Sequence, residues 1–416
     1  MYKLFKNVNL DNTLTDILVK DNIIQKIAPG QSVPEAEVFD ANAMIIIPSF
    51  ANAHTHAAMT LMRGYADDLE LFDWLSNYIW PLEAKLTEDD VYWAARLACL
   101  EMIKCGTTCF NDMYWHCQET ARAAEDAGIR AVISQVFIDH NDAKESQRQI
   151  AKAEEFLAKH ADTERVKYAL GPHAIYTVSH ESLRWIAEYS HKHNRLVHIH
   201  IAETKKEVAD SLEKFGLTPV EYLASLNLIN KNSLLAHCVW LTDNEARLIS
   251  EAGATVLHNP VSNLKLASGY FPYELLKKHN VRIAIGTDGC SSNNNLSSLE
   301  EMKFAALLPK YIEMNPQTYP AEEVFRDATK SAFDALQIDA GEIKEGKLAD
   351  FVLINNNSVF LTPNYNIISD LVYSADSSVV DTVVCNGKII MNRGVVADEE
   401  IIVNKVKEIR NNLLKR

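Results

Sequence analysis

Four short segments of this chain each run from apolar residues straight into side chains able to hold a metal ion. They are Pro48 to His56 (PSFANAHTH), which follows the apolar run Met44 to Ile47, then Leu196 to Glu203 (LVHIHIAE), Ser233 to His237 (SLLAH) and Val281 to Gly289 (VRIAIGTDG). Residues i and i+2 of a strand point the same way, so a buried strand that delivers His54 and His56 at its carboxyl end converges two imidazoles while Thr55 faces elsewhere. Neutral imidazole is the commonest ligand for zinc and related ions. One His-x-His is also what a polar loop contains, so the pair gains its weight from the other three segments. In a barrel of parallel strands, groups at the carboxyl ends of different strands meet in one mouth. The order His-x-His, His, His, Asp fits that geometry.

Imidazoles with a carboxylate, and a position left for water, suit a catalytic divalent ion. Zinc is expected because nothing calls for redox chemistry, with iron as the alternative. Such an ion lowers the pKa of water from ~15.7 to about 7, and the chemistry then needs a proton carrier. Glu203, three residues after His200, is placed to take a proton from water and return it to a substrate nitrogen. The plainer reading of Glu203 is a charge at a helix N-terminus, given Thr204 and the following Lys205, Lys206 and Glu207. By spacing alone, either His198 or His200 serves as the ligand. Strand four ends in Gly171-Pro172-His173 with no lysine to bridge two ions, so a single metal is expected.

The elements that must position these residues alternate. Helical patterns over Thr87 to Cys105, Glu119 to Ala127 (closed by Gly128), Ser146 to Lys159, Glu181 to His193, Val220 to Ser225, Asp243 to Ala252 and Tyr273 to His279 are interleaved with strand patterns. Strands are read at Thr107 to Asn111, Ala131 to Ile138, Val166 to Leu170, Leu196 to Ile201, Leu234 to Ala236, Thr255 to Leu257 and Ile283 to Ile285. With the strand before His54 this makes eight, which predicts an α/β fold, a (β/α)8 TIM-type barrel over residues 49–345. A doubly wound open sheet is the runner-up, but no phosphate-binding glycine loop follows the first strand. Both chain ends read as short strands and turns, among them the Asn386-Gly387 turn. Neither end encloses a core alone, so residues 1–48 and 346–416 are expected to join as a small β-sandwich domain.

The 416 residues carry a formal net charge of -15 and are 47% hydrophobic. That is enough for a large core, and the acidic balance argues against nucleic acid or an anionic membrane as partner. Seven cysteines, an odd number without framework spacing, indicate a reducing compartment, and the group from Cys99 to Cys117 reads as core packing. No signal-like start and no run of ~20 apolar residues is present, so a cytoplasmic protein is expected.

Beyond these single features, the chain resembles the amidohydrolase superfamily, and within it the branch of 5-methylthioadenosine/S-adenosylhomocysteine deaminases. The resemblance runs over nearly the whole chain. It is carried by Asn52 to Asp68, Pro81-Leu82-Glu83, Gly171-Pro172-His173, His200 to Thr204, Ala236-His237-Cys238, His258 to Leu266 and Gly286-Thr287-Asp288-Gly289. It implies a metal held by His54, His56, His200 and Asp288, with His237 beside the metal water. It implies that Glu203 protonates N1 of an adenine ring as hydroxide attacks C6, and that Asp288 accepts a proton while ammonia leaves. Glu83 would bind the ribose hydroxyls, and His173 would contact substrate. Trp74 would cover the nucleoside, an amphipathic helix being the plainer account of it.

One position departs from the pattern. Relatives acting on S-adenosylhomocysteine use arginines near the end of strand three to bind the amino-acid carboxylate. Here Gln135 stands at the first, and Arg148 is the candidate for the second. Loss of a bidentate cation disfavours a charged tail more than a methylthio group. The expected partner is thus a small nucleoside, 5-methylthioadenosine before S-adenosylhomocysteine, and the branch also implies a homo-oligomer. Two alternatives stand beside this reading: an aminohydrolase or chlorohydrolase acting on a free heterocycle such as guanine, pterin, cytosine or triazine, and a non-catalytic metal-dependent scaffold.

Overall fold

The strands Met44–Pro48, Phe351–Asn355 and Val380–Cys385, from opposite ends of the chain, bury apolar side chains on both faces and pair with one another. The computed structural model describes residues 1–416. Its first strands are β1 (Tyr2–Leu10), β2 (Thr13–Lys20), β3 (Ile23–Ala28), β4 (Ala36–Asp40) and β5 (Met44–Pro48). The middle of the chain supplies β6 (Phe50–Thr55), β7 (Thr107–Met113), β8 (Arg130–Phe137), β9 (Val166–Pro172), β10 (Val197–Ile201), β11 (Ser233–His237), β12 (Thr255–His258) and β13 (Arg282–Ile285). Then β14 (Phe351–Asn355), β15 (Val380–Cys385) and β16 (Lys388–Met391) return to the N-terminal strands. They complete one eight-stranded sheet in the order β16-β15-β14-β5-β1-β2-β3, with β4 parallel to the start of β1.

The eight middle strands run parallel in sequential order from β6 to β13. The sheet curls until its two edges meet. There the backbone N–H groups of Thr287 and Asp288 donate to the His54 carbonyl at 3.2 and 2.9 Å. The Asn52 amide receives the Thr287 N–H at 3.0 Å and donates to the Thr287 hydroxyl at 2.8 Å. Gly286 is required at this seam, because a Cβ on it would lie 2.7 Å from the His54 nitrogen. Small residues fill the barrel interior, Ala51, Ala53, Ala169, Ala236 and Ala284 among them, and Phe333 and Leu336 pack into the same cluster.

The apolar run Met44 to Ile47 does not deliver the histidines. It forms β5, which pairs antiparallel with β14, Ile47 facing Val352. The delivering strand is β6, every residue of which is buried. A continuous apolar run marks any strand covered on both faces, and here two such strands follow each other across Pro48 and Ser49, so composition could not assign them. One face of the terminal sheet (Ile45, Ile47, Val352, Ile354, Val383) belongs to the large core shared with the barrel. The other face closes a smaller core of Phe5, Val8, Ile17, Ile46, Phe351, Leu353 and Val384, drawn from both chain ends. After β16 the chain ends in the helix Glu399–Leu413. Its Val406, Ile409 and Leu413 pack into a cluster with Met59, Trp74, Leu82 and Val91 at the barrel mouth.

Candidate active site

β6 ends with His54 pointing into the barrel mouth and His56 one residue beyond the strand, and their rings converge. Thr55 turns away and donates to the Asn111 carbonyl at 3.0 Å. His56 Nδ1 lies 2.6 Å from the Met113 carbonyl oxygen, and His200 Nδ1 lies 2.7 Å from that of His173. Carbonyls only accept, so both rings carry a proton on Nδ1 and turn Nε2 to the mouth. Those two Nε2 atoms stand 3.1 Å apart. Two lone pairs at that distance repel, so a proton or a metal ion lies between them; burial opposes a charged His56, but Asp288 and the Met113 carbonyl push this ring up to about 9 when no ion is bound. His237 Nδ1 is held at 2.8 Å by the Asn263 side-chain oxygen, which likewise frees its Nε2.

Asp288 completes the cluster, its Oδ1 3.2 Å from Nε2 of both His54 and His56. Its Oδ2 accepts from the Ser262 and Ser292 hydroxyls at 2.6 and 2.8 Å. Burial opposes its ionisation, yet the adjoining His54 and His56 rings outweigh it and hold its carboxyl well below the usual range. Burial pushes His54 down to about 4, so this ring is neutral and able to ligate. Its buried Nε2 makes no hydrogen bond. The ligand atoms of His54, His56 and His200 lie within 4.8 Å of one another, as do those of His54, His237 and Asp288. An orphaned imidazole nitrogen, two opposed lone pairs and an ionised carboxylate fit a divalent cation held by nitrogen and oxygen donors.

His200 rather than His198 faces the mouth. His198 lies one layer deeper, its Nε2 2.6 Å from His54 Nδ1, where it fixes the orientation of the His54 ring. Three residues of the site leave their strands in the left-handed region, Ala202 (φ 50), His237 (φ 74) and Asp288 (φ 63). Such backbone is costly for residues with a Cβ and concentrates where geometry serves function.

Above the cluster opens a cleft enclosing about 730 Å³, lined by His56, His173, His200, Glu203, His237 and Asp288 at its floor. Its walls hold Trp74, Trp80, Glu83, Tyr114, Trp115 and Tyr176. Glu203 accepts from the Ser268 hydroxyl at 3.1 Å. His173 is kept neutral, pushed down to about 3 by burial, and its Nδ1 pairs with the Thr177 hydroxyl at 2.9 Å. Burial raises the Glu83 carboxyl, with Tyr114 and Trp115 pulling against it. Trp74 lines the cleft on the helical stretch Leu71–Trp74, which continues as a π-helical turn over Leu75–Ile79 and then Trp80–Glu83. This distortion is frequent at functional sites.

Arg148 stands apart from these residues. It lines a second cavity of about 1910 Å³, together with Gln135, that shares Trp80, Glu83, Tyr114 and Trp115 with the cleft. The guanidinium is largely exposed and forks onto Glu145 at 2.6 and 2.8 Å. Apart from Trp74, the aromatic walls escaped the sequence reading, as did the supporting Ser262, Asn263 and Ser268. Only their place in and near the His258 to Leu266 segment marked it as more than loop.

A parallel eight-stranded barrel with converging ligands at its carboxyl end defines a metal-dependent hydrolase. The Amidohydrolase family model matches residues 45–390, and the chain belongs to that family. The 5'-deoxyadenosine deaminase of Methanocaldococcus jannaschii is 44% identical over 413 residues, covering 98% of each chain. The 5-methylthioadenosine/S-adenosylhomocysteine deaminase of Thermococcus sibiricus is also 44% identical, over 90% of this chain and 89% of its own. Among solved structures, an adenosine deaminase from Xanthomonas campestris with bound zinc is 32% identical. It has a TM-score of 0.94 and covers 99% of this chain and 98% of that one.

Proposed function

We propose that the protein is a zinc-dependent aminohydrolase that removes the C6 amino group of 5'-modified adenosines as ammonia and leaves the inosine analogue. The observation that carries this reading is one cleft with a cation-shaped histidine and aspartate cluster at its floor, Glu203 beside it and the half-buried acceptor Glu83 in its wall. The relatives named for deamination of such nucleosides support the substrate class. His54, His56, His200 and Asp288 would hold zinc, or iron in its place. When bound, the ion supplies the Lewis acidity that turns water into hydroxide near neutral pH.

The remaining steps belong to the chain. His237 orients the attacking oxygen, and Glu203 takes one proton of the water and delivers it to N1 as the oxygen bonds to C6. The second proton passes from that oxygen through Asp288 to the amino nitrogen. The C6–N bond then breaks, C6 keeps the oxygen as a carbonyl, and ammonia departs. Glu83 accepts the two ribose hydroxyls, His173 contacts the substrate and Trp74 covers it, which excludes water and orients the ring.

The reading assigns the 5'-substituent to the second cavity, which adjoins Glu83 and in which Gln135 is neutral and Glu145 offsets the charge of Arg148. This supports a short neutral group over an amino-acid carboxylate. Ammonia release from methylthioadenosine, 5'-deoxyadenosine, adenosine, S-adenosylhomocysteine and guanine tests the assignment. The two uncharged 5'-modified nucleosides should be turned over fastest, and guanine outrunning every nucleoside would sink it. The proposal includes residues 1–48 with 346–416 as a satellite β-domain on the barrel 49–345. It also includes a reducing compartment, supported by seven free, buried cysteines, and a homo-oligomer, supported by exposed Phe304, Leu307 and Tyr311 on one helix face. No helix is long and apolar enough to cross a membrane.

A further inference from the structure

Three helices of this chain begin with an ordinary capping box. The carboxylate at the third helical position reaches back to the N–H of the capping threonine itself: Asp90 to Thr87 at 2.9 Å, Glu221 to Thr218 at 3.2 Å and Glu245 to Thr242 at 2.8 Å. The helix Lys205–Phe215 has the same sequence signature, Thr204 with Glu207, and Thr204 caps the Glu207 N–H at 3.1 Å. Yet the carboxylate of Glu207 bypasses Thr204. Its Oε1 accepts from the Ala202 N–H at 3.1 Å and its Oε2 from the Glu203 N–H at 2.9 Å.

This departure falls on the turn that carries Glu203. Ala202 is left-handed there, a conformation that an alanine does not hold without help. Its carbonyl also accepts from Val239 and Trp240 at 3.0 and 2.9 Å, tying the turn to the segment after His237. Glu207 is 4% exposed and forms no ion pair with any cation. Burial pushes its carboxyl up to about 7, against the pull of the two N–H groups. A buried carboxylate without a cation is expensive and gains nothing as a cap that Glu245 does not achieve by the shorter reach.

We propose that Glu207 is a positioning residue for the deamination, clamping the backbone of Ala202 and Glu203 so that the Glu203 carboxylate, held at its other end by Ser268, is fixed at the substrate ring. The proposal rests on Glu203 being the proton carrier. Glu207 touches neither substrate nor metal; it acts through Glu203 alone. Its removal therefore lowers the rate of the chemical step and leaves binding of the nucleoside and of zinc in place.

Steady-state kinetics of the zinc-loaded, full-length protein with methylthioadenosine provide the test, with zinc content and Tm measured on each variant. Glu207→Ala should lower kcat about 100-fold while KM stays within about threefold, and zinc content should equal that of the wild type. Glu207→Gln retains one acceptor and should fall between; it carries the comparison if the alanine variant does not fold. Placed on a Glu203→Gln background, either substitution should reduce the residual rate no further, because the two act through one group. Glu245→Gln, the matched ordinary cap, should lower Tm without changing kcat. An unchanged kcat in both Glu207 variants, a loss that tracks zinc content, or a full further loss on the Glu203→Gln background would overturn the proposal. If Glu203→Gln itself keeps the wild-type rate, the proton-carrier reading fails instead.

Discussion

At His198 and His200 spacing leaves a choice that the family resemblance gives to His200 and that depth explains. Residues i and i+2 of β10 face the same way, and their rings lie 6.5 Å apart, the rise of two strand residues. His200 is at the level of His56, whereas His198 is one layer lower, against His54. Spacing gives the direction of a side chain but not its height along the barrel axis. The opposed Nε2 atoms of His56 and His200 lead to a direct expectation. Dialysis against a strong chelator should abolish ammonia release, and added zinc should restore it; an apoprotein with undiminished turnover would remove the metal from the mechanism. Glu83 gives a pH dependence. Burial raises its carboxyl, and only the ionised form accepts the ribose hydroxyls. Binding is therefore complete above the raised pKa and lost as pH falls through it, so kcat/KM should decline on the acid side at a higher pH than for a solvent-exposed glutamate. Glu83→Gln should remove that limb and raise KM about tenfold or more.

Among the elements, the helical stretch Leu71–Glu83 was the least legible. Its Trp74 admitted two readings, an apolar helix face and a cover for the substrate, and the structure both packs it in a cluster and sets it in the lining of the cleft. No local pattern announces the π-helical turn at Leu75–Ile79, because it depends on what lies beneath. What lies beneath comes in part from the far end of the chain, the helix Glu399–Leu413, through Val406, Ile409 and Leu413. Ile409→Ala should cost about 2–5 kcal/mol in denaturant unfolding. Because the same cluster backs Trp74, KM for the nucleoside should rise with it while zinc content stays constant. A variant destabilised to that degree with an unaltered KM would show that the cover is held by the barrel alone. The helix Glu88–Lys104, by contrast, was readable to within a residue, since Thr87 and Asp90 form its capping box locally.

For the molecule as a whole, barrel and terminal sheet are joined by a buried ion pair. Arg130, at the start of β8, donates to both oxygens of Asp350 beside β14, at 2.6 and 3.2 Å, and to the Asn386 side chain at 2.7 Å. Asp350 is fully buried and Arg130 nearly so. Breaking such a pair strands a charge, so Asp350→Ala should cost about 3–5 kcal/mol, read as a lower denaturation midpoint, while kcat of the folded protein is retained because the pair lies away from the cleft. A variant as stable as the wild type would show that the two cores hold together through apolar contact alone. The alternation of apolar runs and amphipathic stretches was sufficient, without the structure, to predict eight βα units and to mark the strand ends that carry histidine and aspartate. Each of these depends on periodicity or on residue type at a strand terminus, which are local properties. Only the tertiary structure decided that Met44 to Ile47 belongs to the terminal sheet, that His200 stands above His198, that Arg148 lies beside the cleft rather than in it, and that Glu207 reaches past its own cap. Those are matters of depth, partner and distance between segments far apart in the chain, and the free energy that settles them comes from burial and hydrogen bonding in the assembled fold.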